Sequence, residues 1–287
     1  MSVQDGYIPV DGGNVYYQAF GLDKKNTPLV VVHGGPGVPH NYLLGLQKLA
    51  DERPVIFYDQ LGCGKSDPIQ AVEAIDPNRF IIELQQVVAH LELEKYYLLG
   101  QSWGSYIVAS YLHHYQPEGV QKVVFSAPYF STALWQNDVA NLIAQLPPET
   151  QKTISDHEAS GVFNSQAYQE AMMVFYQKHV CNLDPWPDNL MTSFDQINAD
   201  LYGYMWGPSE FTINGLLQDA DLTPSLRDLP FESLITVGEF DEVSIETAQY
   251  YENLLPNARL VIFSGNTHSH HIESEEKYLQ TLRDFLK

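Results

Sequence analysis

Short apolar runs of strand length recur along the chain and are separated by longer segments of helical periodicity. The runs lie at residues 7–10, 14–20, 29–32, 55–58, 96–99, 123–126, 234–238 and 259–263. Wholly apolar strands that alternate with helices are typical of a mostly parallel sheet covered on both faces. We therefore expect an α/β fold with eight strands flanked by helices. The turn Asp11-Gly12-Gly13 predicts that the first two strands form an antiparallel hairpin.

The pattern changes between residues 129 and 217. This stretch is mainly helical, is rich in Gln, Asn, Met and aromatic residues, and contains no convincing strand-like run. The sheet pattern resumes near Leu234, and about 90 residues is too long for an ordinary connection. We expect residues 1–128 and 218–287 to form the core domain of an α/β-hydrolase fold, with 129–217 inserted as a helical cap.

The charge balance is strongly acidic, with 36 Asp and Glu against 15 Lys and Arg and a formal net charge of -21. Such a surface repels polyanions, so neither nucleic acid nor an anionic membrane is expected as a partner. The sequence has no apolar run of 18 residues and no basic-then-apolar leader pattern, which favours a cytoplasmic location. Two cysteines, Cys63 and Cys181, do not make a disulfide framework.

The pentapeptide Gly100-Gln101-Ser102-Trp103-Gly104 stands between an apolar run and a helical pattern. In that context G-x-S-x-G is typical of a nucleophile elbow, a sharp turn that exposes the serine hydroxyl. The two glycines leave room for crowded backbone on either side of the turn. We predict Ser102 as a catalytic nucleophile rather than an ordinary turn serine.

An acid and a base follow in the order Ser, Asp, His that an α/β hydrolase requires. Asp241 comes after the run 234–238, and His268 comes after the run 259–263. An imidazole takes the serine proton during attack, and a carboxylate fixes the imidazole tautomer. We predict Asp241 and His268 for these two roles.

Neighbouring residues offer alternatives to both. Glu242 is the alternative acid, and His270 and His271 compete with His268. The three histidines do not predict a metal site, because no further ligands or supporting shell can be assigned to them. We expect neither a metal nor an organic cofactor.

The tetrahedral intermediate needs two preorganised backbone donors for its oxyanion. In this fold they are the amide after the nucleophile and an amide from the loop after the third strand. These positions are Trp103 and Gly35, the latter in the glycine-rich segment His33-Gly34-Gly35-Pro36-Gly37. We predict Gly35 and Trp103 as the oxyanion hole.

Five short segments together form a much narrower pattern than G-x-S-x-G alone. They are His33-Gly34-Gly35-Pro36-Gly37, Asp59-Gln60-Leu61-Gly62-Cys63-Gly64-Lys65-Ser66, Gly100-Gln101-Ser102-Trp103-Gly104-Ser105, Gly207-Pro208-Ser209-Glu210-Phe211 and Gly238-Glu239-Phe240-Asp241-Glu242. With them the chain resembles the proline iminopeptidase family of α/β hydrolases, especially the compact branch with the tricorn-interacting aminopeptidase. The resemblance covers nearly the whole chain, including the expected cap.

The resemblance implies a serine peptidase that releases an N-terminal residue, often proline, from short peptides through an acyl-enzyme. In this family, glutamates that match Glu210 and Glu242 bind the free amino group of the substrate. The physical logic is independent, since a buried ammonium is costly unless carboxylates pair with it. Otherwise Glu210 is a surface glutamate and Glu242 a helix-start acid. Four aromatic residues are candidates for a slot that holds a pyrrolidine ring, or for packing between cap and core: Trp103, Trp135, Tyr204 and Trp206.

Three other functions remain open at this point. An amino-acid amidase would share the ammonium site, a carboxylesterase would share only the triad, and a non-catalytic ligand receptor would need neither. The expected partners are short peptides or amino-acid amides with a free N-terminus.

Overall fold

The structure, a computed structural model, describes residues 2–287 and is built on one eight-stranded sheet. Its strands are β1 (Val3–Val10), β2 (Gly13–Phe20), β3 (Leu29–Val32), β4 (Val55–Tyr58), β5 (Tyr96–Gln101), β6 (Val120–Ser126), β7 (Glu232–Gly238) and β8 (Ala258–Phe263). They lie in the order β1-β2-β4-β3-β5-β6-β7-β8. β1 pairs antiparallel with β2 and β2 with β4, whereas all other neighbours are parallel. The expected fold class is confirmed.

Ten α-helices accompany the strands in the described chain. They are α1 (Asn78–His90), α2 (Trp103–Tyr115), α3 (Thr132–Ile143), α4 (Pro148–Ser160), α5 (Gln166–His179), α6 (Asp188–Asp195), α7 (Ala199–Met205), α8 (Ile245–Leu254), α9 (His270–Glu273) and α10 (Glu275–Phe285). A long 3₁₀ segment, His40–Asp51, connects β3 to β4. Among residues 2–287 no helix is both long enough and apolar enough to cross a membrane.

Side chains of the central strands alternate between two apolar layers. In β3, Val30 and Val32 pack in the layer that contains α1 and α2, whereas Leu29 and Val31 pack against His40–Asp51 and α10. All four side chains are fully buried. Burying an aliphatic side chain of this size stabilises the fold by about 1.5–3 kcal/mol, which explains why no polar residue interrupts the run.

The hairpin strand β1 is longer than the sequence pattern predicts. It begins at Val3 rather than at residue 7 because its backbone pairs with β2 from Val3↔Phe20 onward. Residues 3–5 are exposed, and Gln4-Asp5-Gly6 interrupts any apolar run, so this part of the edge strand carries no apolar signature. Backbone hydrogen bonds, rather than side-chain burial, define it.

Residues 127–231, all of them described, contribute α3 to α7 and no strand to the sheet. Backbone contacts connect this stretch to the loops near Ser102. The amide of Asn198 donates to the Gly37 carbonyl at 2.9 Å, and the amide of His268 donates to the His179 carbonyl at 2.9 Å. The division into a core and a cap at 129–217 stays a prediction, supported by these helices.

Candidate active site

Ser102 stands at the junction of β5 and α2 in a conformation that a non-glycine residue rarely adopts. Its φ is 53° and its ψ is −122°. A Cβ at Gly100 would lie 2.4 Å from the Gly104 carbonyl oxygen, and a Cβ at Gly104 would lie 2.1 Å from the Val32 carbonyl oxygen. Both positions therefore require glycine. The packing around the turn holds Ser102 in this strained backbone conformation. Backbone strain of this kind is concentrated at functional sites.

His268 and Asp241 meet through a short hydrogen bond. The distance from His268 Nδ1 to Asp241 Oδ1 is 2.7 Å, and the carboxylate is buried. The backbone amides of Gly238 and Val243 also donate to this carboxylate, at 3.1 and 3.3 Å. These bonds fix the carboxylate so that it holds the imidazole in the tautomer that carries a proton on Nδ1.

The other ring nitrogen of His268 faces a glutamine. Gln101 Nε2 lies 3.0 Å from His268 Nε2. Within residues 2–287, the Ser102 hydroxyl makes no hydrogen bond to His268. Catalytic hydrogen bonds are often long before substrate binds, so this arrangement is that of a resting site.

Two backbone amides near Ser102 are free to donate hydrogen bonds to an oxyanion. Trp103 is the first residue of α2, where an amide has no intrahelical acceptor. The Gly35 amide has no acceptor in the described chain, and its φ of 115° favours glycine. Gly35 and Ser102 line the same cavity.

That cavity has a volume of about 360 Å³ and is lined mainly by apolar and aromatic side chains. Its aromatic walls are Tyr42, Trp135, Phe163, Tyr168, Tyr176, Phe194, Tyr202 and Trp206. Glu210 and Glu242 are the carboxylates in the lining, and no Lys or Arg of the described chain lines it. The cavity is therefore suited to a small ligand that is largely apolar and carries a positive charge.

The two glutamates, Glu242 buried and Glu210 half-buried, lie close enough to influence each other. Glu210 accepts a hydrogen bond from the Tyr202 hydroxyl at 3.0 Å, whereas Glu242 Oε1 is buried and has no partner in the described chain. Burial raises the pKa of both carboxyls, and the charge of Glu210 raises the pKa of Glu242 further. A cation between them would relieve both costs.

Glu158 on α4 holds the loop that carries Glu210. Its carboxylate accepts hydrogen bonds from Ser209 Oγ at 2.8 Å and from the hydroxyls of Thr212 and Tyr168. The amide of Thr212 donates in turn to Ser209 Oγ at 3.0 Å. The position of Glu210 thus depends on a carboxylate about 50 residues earlier in the sequence.

The alternative acid and bases are placed differently. Glu242 Oε2 is 3.7 Å from His268 Nδ1, too far for a good hydrogen bond. His270 Nε2 lies 2.9 Å from Thr236 Oγ1, and burial lowers the pKa of His270 to about 4. His271 is buried away from the cavity, and burial lowers its pKa well below the usual value. Of the three histidines, only His268 lines the cavity.

Comparisons with known proteins agree with this architecture. The α/β-hydrolase fold family model matches residues 27–275. A proline iminopeptidase from Heyndrickxia coagulans is 41% identical over 283 residues, which cover 98% of each chain. The crystal structure of a proline iminopeptidase from Mycobacterium smegmatis superimposes with a TM-score of 0.91 at 33% identity, over 99% of this chain and 97% of that one.

The chain belongs to the proline iminopeptidase family of α/β hydrolases. A further solved relative, VinJ, has a TM-score of 0.94 at 31% identity and covers 99% of this chain and 98% of its own. The resemblance that the five sequence segments indicate is confirmed.

In this member of the proline iminopeptidase family, the structure brings most of the predicted site residues together. Ser102, His268, Gly35, Glu210 and Glu242 line one cavity. Asp241 lies behind the imidazole and Trp103 supplies a backbone amide beside Ser102. The catalytic and binding roles of these residues stay predictions, now supported by their distances and contacts.

The expected aromatic slot is half correct. Trp135 and Trp206 line the cavity, with ring centroids 6.0 Å apart. Trp103 does not line it, because its indole is buried and donates to Gln60 Oε1 at 3.2 Å. Tyr204 points elsewhere, since its hydroxyl donates to the Glu73 carbonyl at 2.6 Å.

Sequence reasoning missed several residues of this site, among them Gln101, Tyr42, Tyr202 and Glu158. Gln101 stands inside the G-x-S-x-G motif, so the sequence did indicate that it lies beside Ser102. The other three are polar residues in helical segments whose periodicity says nothing about a partner far along the chain.

Proposed function

We propose that this protein is a serine aminopeptidase that releases an N-terminal residue, with proline as the expected residue, from short peptides. The observation that carries the proposal is a pair of carboxylates, Glu242 buried and with an unpartnered oxygen and Glu210 half-buried, in the cavity that also contains Ser102 and His268. We expect proline as the released residue because the similar proteins are named proline iminopeptidases.

Acyl transfer begins with attack of Ser102 Oγ on the carbonyl carbon of the first residue. His268 Nε2 takes the hydroxyl proton and returns it to the leaving amine, while Asp241 stabilises the imidazolium. The amides of Gly35 and Trp103 receive the oxyanion. One such donor is worth about 3 kcal/mol in the barrier. Water then hydrolyses the acyl-enzyme by the same steps in reverse order.

Recognition of the free amine is electrostatic. An ammonium between Glu210 and Glu242 pairs with two carboxylates whose pKa values burial has raised, and so offsets part of their charge. An acetylated amine has no charge to pair with them and would leave the carboxylates buried without a partner. Substrates with a blocked N-terminus are therefore rejected.

The ring of the first residue packs against aromatic walls. Trp135 and Trp206 are nearly perpendicular, at 89°, and Trp135 lies 5.7 Å from the His268 ring. This corner offers apolar surface to the methylene groups of a ring whose nitrogen pairs with the glutamates. A pyrrolidine fits such a corner because it is compact and buries its methylene groups there.

An amino-acid amidase is the second candidate. Among the described residues that line the cavity there is no Lys or Arg to pair with the carboxylate end of a short peptide. A neutral amide at that end fits the lining better than a free acid does. The two candidates differ in the leaving group and share the amine site.

The proposal is tested with a panel of aminoacyl anilides carrying free or acetylated amines. We expect hydrolysis of the free-amine forms, with prolyl anilide ahead, and none of the acetylated forms. Equal turnover of both forms would contradict amine recognition. Prolyl peptides run beside prolinamide decide between peptidase and amidase.

One variant makes the panel specific. Ser102→Ala removes the nucleophile, and we expect it to abolish hydrolysis while retaining binding of prolyl ligands. A wild-type protein that binds such ligands but hydrolyses no amide or ester would indicate a receptor instead.

A further inference from the structure

A continuous chain of buried hydrogen bonds runs from the glycine-rich loop to the imidazole. The Gly34 amide lies 2.7 Å from the Tyr42 hydroxyl, and that hydroxyl lies 2.6 Å from Gln101 Oε1. Gln101 Nε2 completes the chain at 3.0 Å from His268 Nε2. Gly34, Tyr42, Gln101 and His268 are all buried, so bulk water does not compete for these bonds.

The direction of every bond in this chain follows from its first member. A backbone N–H can only donate, so the Tyr42 oxygen accepts from Gly34 and its single proton is left to donate to Gln101 Oε1. The Gln101 amide is thereby oriented with its NH₂ group toward His268. Because an NH₂ group only donates, His268 Nε2 must accept, and the ring proton lies on Nδ1, facing Asp241.

We propose that Tyr42 and Gln101 are positioning residues that set the tautomer of His268 and hold its Nε2 as a hydrogen-bond acceptor in the free enzyme. The inference rests on the proposed role of His268 as the base. Gly34 precedes Gly35, so the same chain joins the oxyanion loop to the imidazole. During attack the hydrogen bond from Gln101 to His268 Nε2 breaks, and Nε2 then accepts the proton of Ser102.

Packing around Gln101 leaves little freedom for another arrangement. A Cβ at Gly34 would lie 2.7 Å from Gln101 Oε1 and 3.0 Å from the Tyr42 hydroxyl, so glycine is required for the bonds to form. The backbone of Tyr42 is itself anchored, since its amide donates to Ser193 Oγ at 3.0 Å.

Asp241 also holds the proton on Nδ1, but none of the described ionisable groups near His268 bonds to its Nε2. Asp241 and Glu242 lie on its Nδ1 side, at 2.7 and 3.7 Å. Glu210 acts on it across the cavity, and His270 and His271 lie in the segment that follows it. Of these contacts, the Gln101 donor is the one that bonds to Nε2.

The test replaces Gln101 by methionine, which has similar volume and no donor. The probe is a neutral fluorophosphonate, whose phosphorus bonds to Ser102 Oγ while fluoride leaves and the hydroxyl proton passes to His268. It carries no amine, so the glutamates do not affect its pH profile through substrate binding. In Gln101→Met we expect the acid limb of the inactivation rate to move to higher pH by about 0.5–1 unit, because the neutral imidazole loses a donor.

Tyr42→Phe gives a second, independent variant. Without the hydroxyl, the Gln101 amide is free to turn its oxygen toward Nε2, which favours the imidazolium. We expect the acid limb to move in the same direction. Tyr111→Phe is the control, since this buried tyrosine bonds to Tyr96 instead, at 2.6 Å, and its loss should not move the limb.

Nitrogen-15 NMR of wild-type protein reads the tautomer directly. We expect Nε2 of His268 to be unprotonated and Nδ1 protonated in the free enzyme. A protonated Nε2, or an acid limb that stays in place in both variants, would overturn the proposal. Absence of aminopeptidase activity alone would refute the proposed function but not this inference, since neither readout uses a peptide.

Discussion

Glu242→Gln is the most direct perturbation of the proposed amine site. It keeps the shape of the side chain and removes one negative charge from the cavity. The residue is buried, its Oε1 has no partner in the described chain, and its pKa is raised by burial and by Glu210. The free enzyme therefore loses little when the charge is removed, whereas the complex with an ammonium loses an ion pair.

The magnitude follows from the burial of the pair. Removing one partner of a buried charge pair costs about 2–5 kcal/mol. Glu210 still pairs with the ammonium, so we expect the lower half of that range, about 2–3 kcal/mol. At 1.4 kcal/mol per factor of ten, kcat/KM for prolyl anilide should fall roughly 30- to 150-fold.

The pH dependence has a definite sign. Only the ionised carboxylate pairs with the ammonium, and the raised pKa of Glu242 places its ionisation above the ordinary range of a glutamate. In wild type, the preference for free over acetylated amines should therefore increase as pH rises through this raised pKa. In Glu242→Gln that increase should be smaller, because only Glu210 remains to ionise.

The assay compares prolyl anilide with p-nitrophenyl acetate, a neutral ester that needs no amine site. Glu246→Gln is the matched control, since Glu246 is exposed in the first turn of α8. If Glu242→Gln lowers both activities equally, Glu242 acts on His268 and not on the amine. An unchanged anilide activity would refute the reasoning.

Three further predictions concern the elbow, the core and the leaving group. Gly104→Ala should abolish activity and lower the free energy of unfolding by about 2–3 kcal/mol, because its Cβ would lie 2.1 Å from the Val32 carbonyl oxygen. The control is Gly203→Ala, where a Cβ meets no atom within 4 Å, and this variant should be neutral or stabilising. Denaturant unfolding measures the stability of both variants. Glu83 is buried, and burial raises its pKa to about 8, so wild type should lose stability as pH rises from about 4.5 to 8. Glu83→Gln should match wild type at about pH 5 and exceed it by about 3 kcal/mol at about pH 9, as urea titrations at both pH values would show. Finally, prolyl dipeptide amides should be hydrolysed about tenfold faster than the corresponding free acids, since the cavity holds two carboxylates; faster hydrolysis of the free acids would contradict this.

Much of the fold was predictable because its signals are local. A strand such as Leu29–Val32 is apolar at every position since both faces of the sheet are covered, and this shows in four consecutive residues. The nucleophile elbow was equally predictable from the sequence, because the crowded turn requires two glycines and a serine at fixed spacing. The exposed half of β1 was missed because backbone pairing leaves no mark on side chains.

Within the candidate site, only residues that stand in sequence motifs could be predicted. Ser102, Asp241 and His268 stand in segments whose chain order the fold imposes. The sequence did not decide between a slot and packing for Trp103 and Tyr204, which do not line the cavity, because the direction of a side chain depends on its hydrogen-bond partner. The role of Glu158 could not be predicted, since the residues by which it holds the Glu210 loop, Ser209 and Thr212, lie about 50 residues away.

The sequence by itself determined the order of the elements, the elbow, and the residue types available for acyl transfer, because periodicity and glycine spacing act over a few residues. Only the tertiary structure decided which groups meet. It placed an unpartnered carboxylate of Glu242 inside an apolar cavity and set Gln101 against the base. Such contacts join distant segments, and their energies depend on burial, which exists only once the chain has folded.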